Sequence, residues 1–226
     1  MKKHIVVLTG AGISAESGIK TFRDANGLWE GHNVMDVASP EGFAKNPELV
    51  LEFYNQRRKQ LLEVKPNKAH FDLVQLEQNY NVTIITQNVD DLHERAGSTN
   101  VIHLHGELLK SRPISSDKEI YDCKTDIVLG DKNKKGEQLR PHIVWFGENV
   151  PLIDKAVSIC ETADVLLIIG TSLQVYPAAS LMKYAPKYIP KFYIDASPAP
   201  TNDISIQVIP KKATIGVKEV INILDK

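Results

Sequence analysis

The feature that most limits how this chain can fold is an apolar, largely β-branched run at residues 4–8 that breaks at once into Thr9-Gly10-Ala11-Gly12. Such a run is too short for a helix and suits a buried strand, while Gly10 and Gly12 permit a tight turn after it. The arrangement recurs. Residues 82–85 run into Thr86-Gln87-Asn88-Val89-Asp90-Asp91, residues 165–169 into Gly170-Thr171-Ser172, and residues 192–194 into Asp195. Helical patterns fall between them, at about 47–63, 68–78, 89–96, 154–163, 178–183 and 217–224. Strand alternating with helix predicts an α/β fold, a parallel sheet covered on both faces. In open sheets of that kind ligands bind at the carboxyl edge, so the four polar turns are expected to converge on one crevice.

Two stretches fit the alternation poorly. Residues of about 25–65 are helical and polar, and those of about 107–140 are rich in Lys, Asp, Ser and Gly with short apolar pieces. Both read as insertions that build a small lobe on a core formed by about 1–24, 66–106 and 141–226, the whole being one domain. With 27 basic and 28 acidic residues the chain has a formal net charge of −1, which gives no general pull toward nucleic acid. No apolar run approaches the roughly 20 residues of a membrane span. Two cysteines, Cys123 and Cys160, and an amino terminus without a signal-like segment suit a monomer in a reducing cytoplasm.

Gly10-Ala11-Gly12-Ile13-Ser14-Ala15 matches G-x-G-x-x-[GA] directly after a strand, the pattern that cradles a dinucleotide pyrophosphate, with the amino terminus of a following helix adding its dipole. A tight turn without ligand is the alternative, and the acidic residue that usually follows about 20 positions later is not visible at the end of a second strand. The loop continues as Glu16-Ser17-Gly18-Ile19, then Thr21-Phe22-Arg23 and Gly27-Leu28-Trp29. With Thr86-Gln87-Asn88-Val89-Asp90, His103-Leu104-His105-Gly106, Val144-Trp145-Phe146-Gly147-Glu148 and Gly170-Thr171-Ser172, these motifs resemble the sirtuin family in content and order, from residue 5 to about 215.

That resemblance implies a Rossmann-like NAD domain with a small lobe, and NAD-dependent removal of acyl groups from protein lysine. The products would be nicotinamide, O-acyl-ADP-ribose and free lysine. Gly10, Ala11 and Gly12, with Ala15 in the same loop, would lie against the diphosphate. Thr21, Phe22, Arg23 and Trp29 would belong to the segment covering the nicotinamide ribose. Gln87 would face that ribose, and Asn88 with Asp90 would hold the carboxamide. Gly170, Thr171 and Ser172 would meet phosphate or adenosine ribose, Asp195 the ribose hydroxyls and Ala213 the adenine. His105 would be the base that deprotonates a ribose hydroxyl, and Val144, Phe146 and Gly147 would flank the acyl-lysine peptide.

Elementary chemistry bears on the same positions and leaves alternatives open. Asn88 and Asp90 offer a carboxamide its acceptor and donor, or cap the next helix. Asp195 suits two hydroxyls or a turn, and Arg23 an anion or solvent. Residues 144–148 read as an apolar strand edge able to take an extended peptide, or as buried packing. His103 and His105 can share a face, which suits a metal pair less well than a catalytic or core histidine, because no third ligand lies nearby. An unperturbed imidazole near pKa 6.5 suits proton removal at neutral pH.

Tyr54 and Arg57 lie at i and i+3 of a predicted helix, on one face. They match the Tyr-x-x-Arg of the sirtuin class that removes succinyl, malonyl or glutaryl groups. Where sirtuins carry two Cys-x-x-Cys zinc pairs, this chain reads Pro113-Ile114-Ser115-Ser116 and Lys132-Asn133-Lys134-Lys135, so no structural zinc is expected. The lobe would instead be held by a short sheet with a turn near 131–136. Lys20 stands where many relatives have proline. The alternatives to a deacylase are an NAD hydrolase or ADP-ribosyltransferase, and a non-catalytic NAD-sensing module.

Overall fold

The computed structural model describes residues 2–20, 28, 29, 31–201 and 203–225. The described strands are β1 His4–Thr9, β2 Leu28–Trp29, β3 His32–Asn33, β4 Asn81–Thr86, β5 Val101–His103, β6 Gly106–Pro113, β7 Tyr121–Asp122, β8 Leu139–Ile143, β9 Val165–Ile169, β10 Lys191–Ile194 and β11 Ile206–Ile209. The α-helices are α1 Val34–Val37, α2 Pro40–Lys45, α3 Pro47–Glu63, α4 Lys68–Leu76, α5 Leu92–Ala96, α6 Ile153–Cys160 and α7 Ala213–Leu224.

Six strands form a parallel sheet in the order β11-β10-β9-β1-β4-β5. Counting only the strands of this sheet, that is the 6-5-4-1-2-3 order of a dinucleotide-binding doubly wound fold, whose direction of winding reverses between β1 and β9. Alternation along β1 sorts the core. Ile5 and Val7 pack with residues of α4 and α7 on one face, while Val6 and Leu8 pack with residues of α6 and the 3-10 helix Ala178–Lys183 on the other. Both faces are therefore covered, as the apolar runs require.

The lobe has its own centre. A three-stranded antiparallel sheet, β7-β6-β8, packs with α3 around Val50, Phe53, Tyr54, Leu108, Ile143 and Trp145. Helix α3 has the bounds expected from its sequence. Asn46 caps it by accepting from Leu49 N at 3.1 Å, and Pro47 occupies its first turn.

Two expectations are corrected. No α-helix follows the glycine loop; two three-residue 3-10 turns, Ala11–Ile13 and Ala15–Ser17, stand there, separated by Ser14 and closed by Gly18 at φ +97°. So short a segment supplies no helix dipole to a phosphate. The helix expected from residue 89 begins at Leu92, because Asn88 N donates to Thr86 Oγ1 at 3.0 Å and Asp90 Oδ1 accepts from Leu92 N at 3.2 Å. Those bonds hold residues 87–91 in a turn beside the cavity.

Candidate active site

The carboxyl ends of β1 and β9 are joined backbone to backbone. Gly12 N donates to Gly170 O at 2.8 Å, and Gly10 N to Ile169 O at 3.0 Å. A Cβ on Gly12 would lie 2.5 Å from Gly170 Cα, and one on Gly170, at φ +62°, would lie 2.4 Å from Ile13 N. The glycines therefore serve first to let two strand ends meet at the reversal point of the sheet. The sequence suggested a tight turn and a close approach to a pyrophosphate, but not this contact between strand ends. What the loop offers a ligand is its amides: those of Ala11 and Ala15 have no acceptor among the described residues.

A cavity of about 750 Å³ opens at this junction and runs between sheet and lobe. All nineteen expected site residues that lie among the described ones line it, from Gly10 and Asp195 on the sheet side to Tyr54, Arg57 and Phe146 on the lobe side. Thr21, Phe22 and Arg23 lie outside the described residues. The four polar turns thus meet in one crevice, as their position at strand ends requires.

His105 Nδ1 lies 3.0 Å from Gln87 O, which can only accept. Nδ1 therefore carries the proton, and Nε2, with no partner among the described residues, keeps its lone pair. Burial draws the imidazole below its ordinary 6.5, against the backbone hydrogen bond, which raises it. At neutral pH the ring is a neutral base.

His103 has the opposite environment. Its Nδ1 meets Asn88 O at 3.1 Å and its Nε2 meets Glu94 Oε1 at 2.7 Å, both acceptors, so both nitrogens donate. Burial lowers its pKa, but the Glu94 hydrogen bond and charge reverse this and the net shift is upward. A ring with both nitrogens protonated has no lone pair for a metal, which removes the His-x-His metal reading.

Asp90, 6% exposed, is raised from the ordinary 3.8 to about 6 because burial outweighs the hydrogen bonds from Leu92 N and Ser14 Oγ. Ser14, absent from the expected site, is fully buried within the loop. It donates to Asp90 Oδ2 at 3.0 Å and accepts from Asn88 Nδ2 at 3.3 Å, tying the glycine turn to the β4 turn. Asn88 Nδ2 also reaches Gly10 O at 3.2 Å, and Gln87 Nε2 donates to Thr171 Oγ1 at 3.1 Å. Asp195 accepts from Ser197 N at 2.8 Å, so its turn role is real, and it also lines the cavity.

On the lobe side Tyr54 and Arg57 do share a space. Tyr54 is 1% exposed, and burial pushes its hydroxyl above its usual range. Arg57 lies with its guanidinium 4.0 Å from the Phe53 ring centre and donates to Phe53 O at 2.9 Å. Sequence reasoning missed a second cluster here. Glu148 accepts from Arg140 at 2.6 Å and from Arg112 at 3.2 Å, two cations to one carboxylate. Nothing local in the sequence joins residues 112, 140 and 148; only Glu148, inside the Val-Trp-Phe-Gly-Glu motif, carried a signal.

The segment after β8 differs from a free strand edge. Val144 N donates to His105 O at 2.9 Å, Trp145 N to Glu148 Oε2 at 2.8 Å and Phe146 N to Ala38 O at 2.9 Å. With those amides engaged inside the chain, residues 144–146 offer a peptide no run of free donors. Val144, Phe146 and Gly147 nonetheless line the cavity.

The comparisons with known proteins agree with this geometry. The Sir2 family model matches residues 10–177. An NAD-dependent protein deacylase of Helicobacter pylori is 63% identical over 193 residues, 85% of this chain and 84% of that protein. One of Bacteroides thetaiotaomicron is 55% identical over an alignment of 229 residues that covers 98% of each. A crystal structure of a Sir2 homologue in complex with NAD matches with a TM-score of 0.88 at 39% identity, covering 99% of this chain and 90% of that one. A Sir2 protein bound to an acetylated peptide matches with a TM-score of 0.83 at 29% identity, covering 99% and 94%. The chain belongs to the Sir2 family, the sirtuins.

Proposed function

We propose that this protein is an NAD-dependent protein-lysine deacylase in which His105 is the base. The observation that carries the reading is the fixed tautomer of His105: a neutral imidazole whose Nε2 has no partner among the described residues, at a cavity that Gln87, Asn88 and Asp90 share. A module that only sensed NAD would need no such base, which takes a proton from a ribose hydroxyl and moves it during acyl transfer.

The residues fit NAD as a bound substrate. The amides of Ala11 and Ala15, without an acceptor among the described residues, suit a diphosphate, with Gly10, Gly12, Gly170, Thr171 and Ser172 around it. Asn88 and Asp90 suit the carboxamide, Gln87 the nearer ribose, and Asp195 and Ala213 the adenosine end. The bound dinucleotide supplies the electrophilic ribose carbon, and nicotinamide leaves from it. The protein holds the acyl-lysine against that carbon and accepts the proton at His105 Nε2. Lysine, nicotinamide and O-acyl-ADP-ribose result, one water being consumed.

We further propose that the preferred acyl group is acidic, succinyl or malonyl rather than acetyl. Arg57 and Tyr54 line the lobe end of the cavity, and the cluster of Arg112, Arg140 and Glu148 leaves one positive charge beside it. A buried charge-assisted contact contributes about 1.5–3 kcal/mol, a roughly ten- to hundredfold preference. Turnover of matched succinyl, malonyl and acetyl peptides by native protein and Arg57→Met tests this. A succinyl-to-acetyl ratio that does not fall in the variant sinks the acyl assignment.

The lobe is proposed to fold without zinc. Asn133 Nδ2 donates to Glu137 Oε2 at 2.8 Å, Ser115 Oγ donates to Glu137 Oε1, and Lys135 reaches Glu119 at 3.3 Å, so Glu137 links the two segments that stand where the cysteine pairs would be. Serine, lysine and proline in place of four cysteines are not a tetrahedral zinc set. One zinc per purified chain by elemental analysis would refute this. The protein is taken to act as a monomer on acylated lysine peptides, in a reducing cytoplasm that suits its two buried free thiols. No described helix is long and apolar enough to cross a membrane.

A further inference from the structure

Tyr54 Oη accepts a hydrogen bond from Trp145 Nε1 at 3.1 Å, and both side chains are buried. An indole N–H can only donate, so the phenol oxygen is committed as an acceptor on that side. The phenol's own proton has no acceptor among the described residues, and a buried donor left unpaired is costly. It must be directed elsewhere, and Tyr54 lines the cavity.

The indole is held by more than packing. The Arg140 guanidinium lies 3.2 Å from the centre of its ring, and Phe43 stands 5.3 Å away on a tilted plane. Arg140 donates to Glu148 at 2.6 and 3.1 Å, and the same carboxylate accepts Trp145 N at 2.8 Å. Ring and backbone of Trp145 are thus fixed by one ion pair, and the indole N–H is fixed with them.

We propose that Trp145 is a specificity-determining positioning residue, whose indole N–H occupies the Tyr54 oxygen and turns the hydroxyl proton into the cavity as an obligate donor. A distal carboxylate satisfies that proton; an acyl group without an acceptor at that depth leaves it unpaired. The inference rests on the acidic-acyl reading and assigns it a residue outside the Tyr-x-x-Arg pair.

The test measures kcat and KM of the full chain, with NAD saturating, on succinyl and acetyl forms of one peptide. Trp145→Phe keeps an aromatic ring but removes the indole N–H together with the rest of the pyrrole ring, a packing loss that bears on both peptides alike. It is expected to lower the succinyl-to-acetyl ratio of kcat/KM about tenfold, through a raised KM for the succinyl peptide. Tyr54→Phe is expected to lower the ratio comparably, and the double variant no further than either single one, because both remove one hydrogen-bonded unit.

Equal loss on both peptides in Trp145→Phe, or a double variant that multiplies the single effects, overturns the proposal. A ratio that falls in Arg57→Met but not in Trp145→Phe leaves the acidic-acyl reading standing and overturns only this inference. A native protein with no succinyl preference overturns both. Should Trp145→Phe fail to fold, Tyr54→Phe decides, since an unchanged ratio there means that the phenol proton carries no selectivity.

Discussion

Replacing Asp90 by asparagine should make the ligand-free protein more stable at pH 7, although Asp90 sits at the centre of the site. Its carboxyl is almost wholly buried, and its pKa is raised from 3.8 to about 6. Between those values the folded state binds more protons than the unfolded one, so the contribution of Asp90 to stability falls as pH rises from about 4 to about 6. Two units at about 1.4 kcal/mol each make the ionised carboxylate cost roughly 3 kcal/mol at pH 7. Asparagine keeps an oxygen for Leu92 N but leaves the Ser14 hydroxyl proton without Asp90 Oδ2, a loss of about 1 kcal/mol. The net gain is about 2 kcal/mol, or roughly 4–8 °C in Tm for a domain of this size. Thermal unfolding of both proteins from pH 4 to pH 8 measures it: near pH 4 the variant should be the less stable by about 1 kcal/mol, the lost Ser14 bond alone, and its advantage should reach its full value by pH 7. A variant less stable than the native protein at pH 7, or a difference independent of pH, would refute the reasoning. The same substitution should raise the KM for NAD, stability having been given up for a carboxamide partner.

Two further outcomes follow from the geometry. Because burial lowers the His105 pKa below 6.5, kcat/KM should rise with pH to a plateau reached by about pH 7.5, with the controlling ionisation below 6.5; an apparent pKa above 7 on the acid limb would contradict the tautomer and burial assigned here. Gly170→Ala puts a Cβ within 2.6 Å of Gly12 and Ile13 backbone at a positive φ, so a loss of about 2–4 kcal/mol is expected, seen as a Tm lower by roughly 4–16 °C. A variant melting within 1 °C of the native protein, on the scale of that same conversion, would show that the strand ends need not touch.

What could be read from the sequence was local. The runs at 4–8, 82–85, 165–169 and 192–194 announced β1, β4, β9 and β10 because each is buried on both faces and so is mostly apolar, with His4 and Thr83 the polar exceptions. Strand β11 was not expected, since at the edge of the sheet two of its four residues, Gln207 and Val208, are exposed and the pattern dissolves. The candidate site was legible where one short motif holds several of its members, as in residues 10–15 or 86–90. It was illegible where members meet across the chain: Ser14 with Asp90, Trp145 with Tyr54, and Arg112 with Glu148 are pairings set by packing, 76, 91 and 36 residues apart. The helix dipole expected behind the glycine loop failed for a local reason, because Ser14 and Gly18 close each turn before a helix can propagate.

The central claim rests on His105, and the most direct measurement follows lysine release from matched acetyl, succinyl and malonyl peptides, with and without NAD, in native protein and His105→Ala. The account predicts NAD-dependent release with one nicotinamide formed per lysine freed. It predicts a loss of at least about a hundredfold in kcat for His105→Ala, which should still bind NAD and melt as the native protein does. Release without NAD, no release from any of the three peptides, or a His105→Ala protein that retains activity would contradict it.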